Sequence, residues 1–154
     1  MKCMSDPMKR TLHIANETET EKLGERIGQA AVPGMVVALI GDLGTGKTTL
    51  TKSIARGLGV TETVTSPTFN IIREYKSGRI PLYHFDVYRI ADPDEMFELG
   101  YEEYFYGDGI CIVEWADIIE ELLPEDAVII RIDRGVSEEE REYIIESEED
   151  LCIF

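Results

Sequence analysis

The sequence has 154 residues, 44% of them apolar and 30% charged, with a net charge of -16. That size and composition describe a single globular domain with enough chain to bury a core. They exclude a bilayer-spanning helix, because no run nears the roughly 18 apolar residues one requires, and the acidity argues against nucleic-acid binding by the chain alone, since phosphate contacts need basic residues. The charge is uneven: residues 1–90 carry 12 Lys+Arg against 9 Asp+Glu, and residues 91–154 carry 3 against 22. The acidic half is either a solvated surface or a face steered toward a basic partner. Three widely separated cysteines, Cys3, Cys111 and Cys152, form neither a disulfide framework nor a metal pattern. Cys111 lies in an apolar run and reads as a small core residue. The N-terminus shows no signal-peptide pattern, which predicts a cytoplasmic chain.

In chain order, residues 1–9 read as a disordered leader and residues 10–154 as one domain. Arg10 to Ala15 has the makings of a short edge strand. Thr18-Glu19-Thr20-Glu21 has capping-box spacing, which predicts a helix from about Glu19 to Ala31, ended by Val32-Pro33-Gly34. Met35 to Ile40 is a continuous apolar run of buried-strand length. Gly41-Asp42-Leu43-Gly44-Thr45-Gly46-Lys47-Thr48 follows, and then a helical face of Leu50, Ile54 and Leu58, stopped by Gly59. Thr61 to Thr68 is a polar loop. Phe69 to Tyr75 and Ile80 to Tyr88 read as an antiparallel hairpin around Ser77-Gly78. Asp92-Pro93 starts a helix, with Met96, Leu99 and Tyr104 inward and Gly100 as a break. Ile110 to Val113 is a second buried run, expected to lie parallel beside the first. A short helix spans about Asp117 to Leu122. Ala127 to Asp133 and Arg141 to Glu146 read as a closing antiparallel pair.

The glycine-rich stretch matches G-x-x-x-x-G-K-[ST], the phosphate-binding P-loop, in the strand–loop–helix setting that the motif requires. Its glycines let backbone N–H groups line an anion site, and the helix adds its positive end. Asp42, Gly44, Thr45 and Gly46 build the loop. Lys47 is placed to reach the β- and γ-phosphates and Thr48 to ligate Mg²⁺. Thr49 is either a second phosphate contact or an ordinary first-turn residue.

A P-loop enzyme also needs a carboxylate at the end of a neighbouring strand, for the metal or for the attacking water. Glu114 follows the second buried run directly. Asp86, inside Tyr83-His84-Phe85-Asp86-Val87-Tyr88-Arg89, is a second acid in an apolar strand. It either faces the site or pairs with Arg89. The division of work between the two stays open. Ser66 and Thr68 are either a switch sensing the γ-phosphate or plain loop. Trp115 is either core or site, and His84 reads more readily as structural. A small-molecule kinase is the alternative function, but kinases close cationic groups over the phosphates. Only Arg131, Arg134 and Arg141 follow Arg89, with no evident lid.

The set GDLGTGKTT, SPTF, YHFDVYR, ELGYEEYF and IVEWAD resembles the TsaE (formerly YjeE) family over about residues 10 to 133. The resemblance implies a P-loop NTPase three-layer α/β fold, parallel central strands with antiparallel strands added at the sides. It implies an ATPase that binds ATP with Mg²⁺ and hydrolyses it slowly. It implies a role in threonylcarbamoyladenosine modification of tRNA beside TsaB and TsaD, with tRNA met only through that complex and no membrane. Carried over by motif, Lys47 and Thr48 serve phosphate and Mg²⁺, Ser66 to Phe69 is the switch-like segment, and Asp86, Glu114 and Trp115 are functional.

Overall fold

The computed structural model describes residues 8–42, 44–67 and 71–147. Residues 1–7 of the expected leader, Thr68 and Phe69, and the chain after residue 147 lie outside the described residues, while Met8 and Lys9, expected in the leader, belong to the first strand. Seven strands form one mixed sheet in the order β1-β7-β6-β2-β5-β4-β3. They are β1 (Met8–Ile14), β2 (Val36–Gly41), β3 (Ile72–Tyr75), β4 (Leu82–Asp86), β5 (Ile110–Glu114), β6 (Val128–Arg134) and β7 (Arg141–Ser147). The helices are α1 (Glu17–Ala30), α2 (Lys47–Leu58), α3 (Asp94–Glu98) and α4 (Tyr101–Phe105), with a 3₁₀ segment at Ala116–Leu122.

The four central strands β6-β2-β5-β4 run parallel. Antiparallel strands extend them at both sides, β3 beyond β4 and then β7 and β1 beyond β6. The expected three-layer α/β arrangement is therefore present. The expected β6–β7 hairpin is present too, but β6 also pairs parallel with β2 and so belongs to the core.

Side-chain alternation along a strand explains the layers. Val37 and Leu39 of β2, and Ile110 and Ile112 of β5, pack with Leu23 and Ile27 of α1 and Leu50 and Ile54 of α2. Val36, Ala38, Cys111 and Val113 point the other way, onto Met96, Tyr101, Phe105 and Ile119. Helices α1 and α2 approach closely where a Cβ on Gly28 would lie 2.2 Å from the Ile54 carbonyl oxygen. Only a glycine fits there without moving backbone.

The start of α1 differs from the expected Thr18 cap. Asn16 is the N-cap and its Oδ1 accepts the Glu19 N–H at 3.1 Å, while Glu19 reaches back to the Ala15 N–H at 3.3 Å. Asn is at least as good a cap as Thr, and Asn16-x-x-Glu19 has the same spacing two residues earlier. Gly59 ends α2 in the left-handed region, φ 84°. Gly100, φ 69°, divides α3 from α4. Helix α3 starts one residue later than expected, with Pro93 and not Asp92 as its N-cap, although the Asp92 carboxylate still accepts the Asp94 N–H at 2.9 Å.

Candidate functional site

Strand order reverses around β2, with β5 on one side and β6 on the other. Ligands of open α/β sheets bind at such a point, beyond the carboxyl ends of the strands. The P-loop leaves β2 there. Gly44 and Gly46 hold φ of 80° and 102°, which β-carbon-bearing residues disfavour. Thr45 is buried, and its hydroxyl donates to the Asp42 carbonyl at 2.8 Å. No side-chain hydrogen bond caps α2, and the first N–H groups of a helix have no intrahelical partner, which is what an anion site uses.

Lys47, the first residue of α2, is 6% exposed. Its Nζ donates to the carbonyls of Gly41 at 2.5 Å and Asp42 at 2.9 Å. It also stands 4.0 Å from the centroid of the Trp115 ring, a cation–π distance. Burial pushes the ammonium below the ordinary lysine value, and Glu114, Asp42 and Asp86 oppose that shift.

The two acids come to the same place by period and register. Ile110, Ile112 and Glu114 lie on the α2 side of β5, and Leu82, His84 and Asp86 on the α2 side of β4. Asp86 is the register partner of Glu114. Glu114 is 3% exposed. Its Oε1 accepts the Thr48 hydroxyl at 3.5 Å, and its Oε2 meets the Thr51 hydroxyl at 3.4 Å and His84 Nε2 at 2.5 Å. Ser66 Oγ lies 3.3 Å from Thr48 Oγ1. Asp86 is half-buried; its Oδ1 accepts the Tyr88 N–H at 3.1 Å, and no ion pair with Arg89 occurs among the described residues. Burial raises the Asp86 carboxyl above the ordinary aspartate value, opposed by the Tyr88 N–H and the neighbouring Lys47.

Trp115 adopts φ 62°, ψ 36°, the one non-glycine residue in the left-handed region among those described. That backbone costs about 1–2 kcal/mol. The ring is held between Lys47 and Tyr88, whose ring centroid is 4.7 Å away. The strain turns the chain sharply after Glu114 and aims the indole back at the P-loop.

On the other side of the loop lies a cleft of about 250 Å³, lined by Gly44, Thr45, Gly46 and Thr49 with Thr20, Glu138 and Arg141 among its walls. Arg141 Nε donates to the Thr45 carbonyl at 3.1 Å and Nη2 to that of Gly44 at 3.3 Å. Its Nη1 donates to the carbonyls of Glu138 at 2.6 Å and Glu140 at 2.8 Å. One guanidinium thus ties the β6–β7 turn to the P-loop. Sequence reasoning did not single out Arg141 for this, nor Thr51. Thr51 had a legible signal, since it stands one helical turn after Lys47.

The structure therefore gathers Asp42, Gly44, Thr45, Gly46, Lys47, Thr48, Thr49, Ser66, Asp86, Glu114 and Trp115 around one loop. Thr68 lies outside the described residues. A lysine, helix N–H groups and glycine turns form a cradle for a polyphosphate. The hydroxyl and carboxylate oxygens around Thr48 are hard donors of the kind Mg²⁺ takes. Among the described residues no group of three or more His, Cys, Asp or Glu side chains forms a metal site. No helix among the described residues is long and apolar enough to cross a membrane.

Comparison with known proteins gives a consistent picture. The family model for threonylcarbamoyl adenosine biosynthesis protein TsaE matches residues 14–143. A Bacillus subtilis (strain 168) protein, tRNA threonylcarbamoyladenosine biosynthesis protein TsaE, is 52% identical over 127 residues, which cover 82% of this chain and 78% of that relative. The Treponema pallidum protein of the same name is 42% identical over 114 residues, covering 74% and 84%. The crystal structure of Bacillus subtilis YdiB superposes with a TM-score of 0.79 at 43% identity, covering 93% of this chain and 88% of that one.

Proposed function

The chain belongs to the TsaE family of threonylcarbamoyl adenosine biosynthesis proteins, and on that premise we propose that it is the Mg²⁺-dependent, ATP-hydrolysing member of the machinery that makes threonylcarbamoyladenosine in tRNA. The observation that carries the proposal is the approach of Glu114, from the end of β5, to within 3.5 Å of the Thr48 hydroxyl at the start of the P-loop helix. A buried carboxylate set against the metal-binding hydroxyl of a P-loop is the pairing that phosphoryl transfer uses.

In this reading the loop N–H groups and Lys47 hold the β- and γ-phosphates. Lys47 releases the Gly41 and Asp42 carbonyls to do so. Thr48 and Glu114 would hold Mg²⁺, with Asp86 and Ser66 at its margin. The ion would supply charge neutralisation between the phosphate oxygens. Asp86, half-buried with a raised carboxyl, is the group suited to take a proton from the attacking water. Water adds to the γ-phosphorus, the bond to the bridging oxygen breaks, and ADP and phosphate leave. Thr49 and the cleft beside it accommodate the rest of the nucleotide, with Arg141 fixing the shape of the loop.

Partners follow from the family premise. The chain acts beside TsaB and TsaD, and its acidic second half leaves tRNA contact to them. Phosphate release from ATP without any acceptor is the expected result and separates hydrolysis from kinase activity. A strict requirement for a phosphorylatable metabolite would overturn the reading. ATP-dependent co-purification with TsaB and TsaD is expected in the same preparation, and association with neither protein in any nucleotide state would remove the partner assignment.

A further inference from the structure

Glu114 is gripped from behind. His84 is fully buried at 0% exposure, and its Nε2 lies 2.5 Å from Glu114 Oε2. An ionised carboxylate only accepts, so the ring nitrogen facing it carries the hydrogen. The other ring nitrogen, Nδ1, has no hydrogen-bond partner among the described residues. Packing alone does not account for a histidine here. The strand neighbours Leu82 and Phe85 are equally buried and apolar. A leucine at position 84 would fill similar space and leave no orphaned polar atom. What the imidazole adds is a rigid N–H donor aimed at one oxygen of Glu114.

We propose that His84 is a positioning residue. Its Nε2–H fixes Glu114 Oε2, so that Oε1 stays turned toward the Thr48 hydroxyl. The inference rests on the proposed function, because it concerns how Glu114 meets the metal of a metal–nucleotide complex. His84 itself reaches neither phosphate nor metal. Its loss acts on metal affinity and on turnover, and leaves the hold of the P-loop on the phosphates intact. Removing a hydrogen bond of this outer kind typically weakens metal binding about 10- to 100-fold.

The test compares His84→Leu, which keeps bulk without a donor, with His84→Gln, which returns an N–H donor near the Nε2 position. Mn²⁺ affinity of the ADP complex is read by electron paramagnetic resonance, ADP affinity without metal by calorimetry, and folding by thermal melting. His84→Leu is expected to bind Mn²⁺ about 10- to 100-fold more weakly with ADP affinity within about threefold, and His84→Gln to stay near wild type. Equal Mn²⁺ affinity in wild type and a folded His84→Leu overturns the inference. So does a folded His84→Gln as weak as His84→Leu. Should the leucine variant fail to fold, the nitrogen-15 spectrum of the wild-type imidazole decides: a hydrogen on Nε2 is expected, and one on Nδ1 alone overturns it. A wild-type ADP complex that takes up no Mn²⁺ overturns the proposed function and this inference together. Failure of the leucine arm alone overturns only the inference.

Discussion

Two walls flank the P-loop, and they are made differently. The β4–β5 wall is closed. His84 and Glu114 are buried there at 0% and 3% exposure, and Phe85, Cys111 and Val113 pack behind them. The β6–β7 wall is open, a polar cleft of about 250 Å³ with Arg141 tied to backbone carbonyls of the loop. Electrostatic interactions are worth more where water is excluded. The closed wall therefore suits the developing charge of phosphoryl transfer, and the open wall suits admission and grip of the nucleotide. If so, damage to one wall should cost turnover, and damage to the other should cost affinity.

Lys47→Ala touches both walls and has the largest expected effect. It removes the cation that the phosphates need, and also the charge beside Trp115 and Glu114. ATP turnover should fall more than about a hundredfold, and nucleotide affinity about tenfold or more, by phosphate release and by calorimetry. Near-normal values of both would break the comparison at its centre. Arg141→Ala should split the two quantities. Loss of its bonds to Thr45 and Gly44 lets the loop relax, so ADP affinity is expected to fall about tenfold while turnover at saturating ATP stays within about threefold. A reversed split would mean that the open wall takes part in the chemistry.

Cys111 gives the smallest effect and probes the packing behind the closed wall. Burial pushes its thiol up to about 12, and its Sγ donates to the Tyr104 carbonyl at 3.1 Å. A raised thiol value means that the reactive thiolate is scarce below it. At pH 8 the Cys111 thiol should resist thiol reagents in the native chain and react on unfolding, with the labelled position read by mass spectrometry. Rapid native labelling at Cys111 would show that the closed wall opens readily to water.

Local features were legible in the sequence for a local reason. Gly41 to Thr48, the Leu50–Ile54–Leu58 face and the Gly59 stop each carry their signal within a turn or two. The buried runs announced β2 and β5, and an acid after the second run announced Glu114. The α1 start shows the limit of such rules, because Asn16 and Thr18 both precede a suitably spaced glutamate and only geometry chooses. Long-range features were not legible. Arg141 meets Thr45 from 96 residues away, and nothing near residue 141 marks it as a loop brace. The parallel pairing of β6 with β2 was hidden because alternation in Ala127 to Asp133 reports a half-exposed strand without its partner. The left-handed backbone of Trp115 had no glycine to announce it. His84 lay between these cases. It read as structural, although it shares a strand face with Asp86 two residues on, because its partner was 30 residues away.

The most direct test of the divided walls is Glu114→Gln, which keeps the size of the side chain and removes the charge. Nucleotide affinity and phosphate release are measured on the same preparation. The account predicts nucleotide affinity, measured without metal, within about threefold of wild type, because the P-loop and open cleft are untouched, and turnover lower by about a hundredfold or more. Turnover at the wild-type rate, or an equal fall in affinity and turnover, would contradict it.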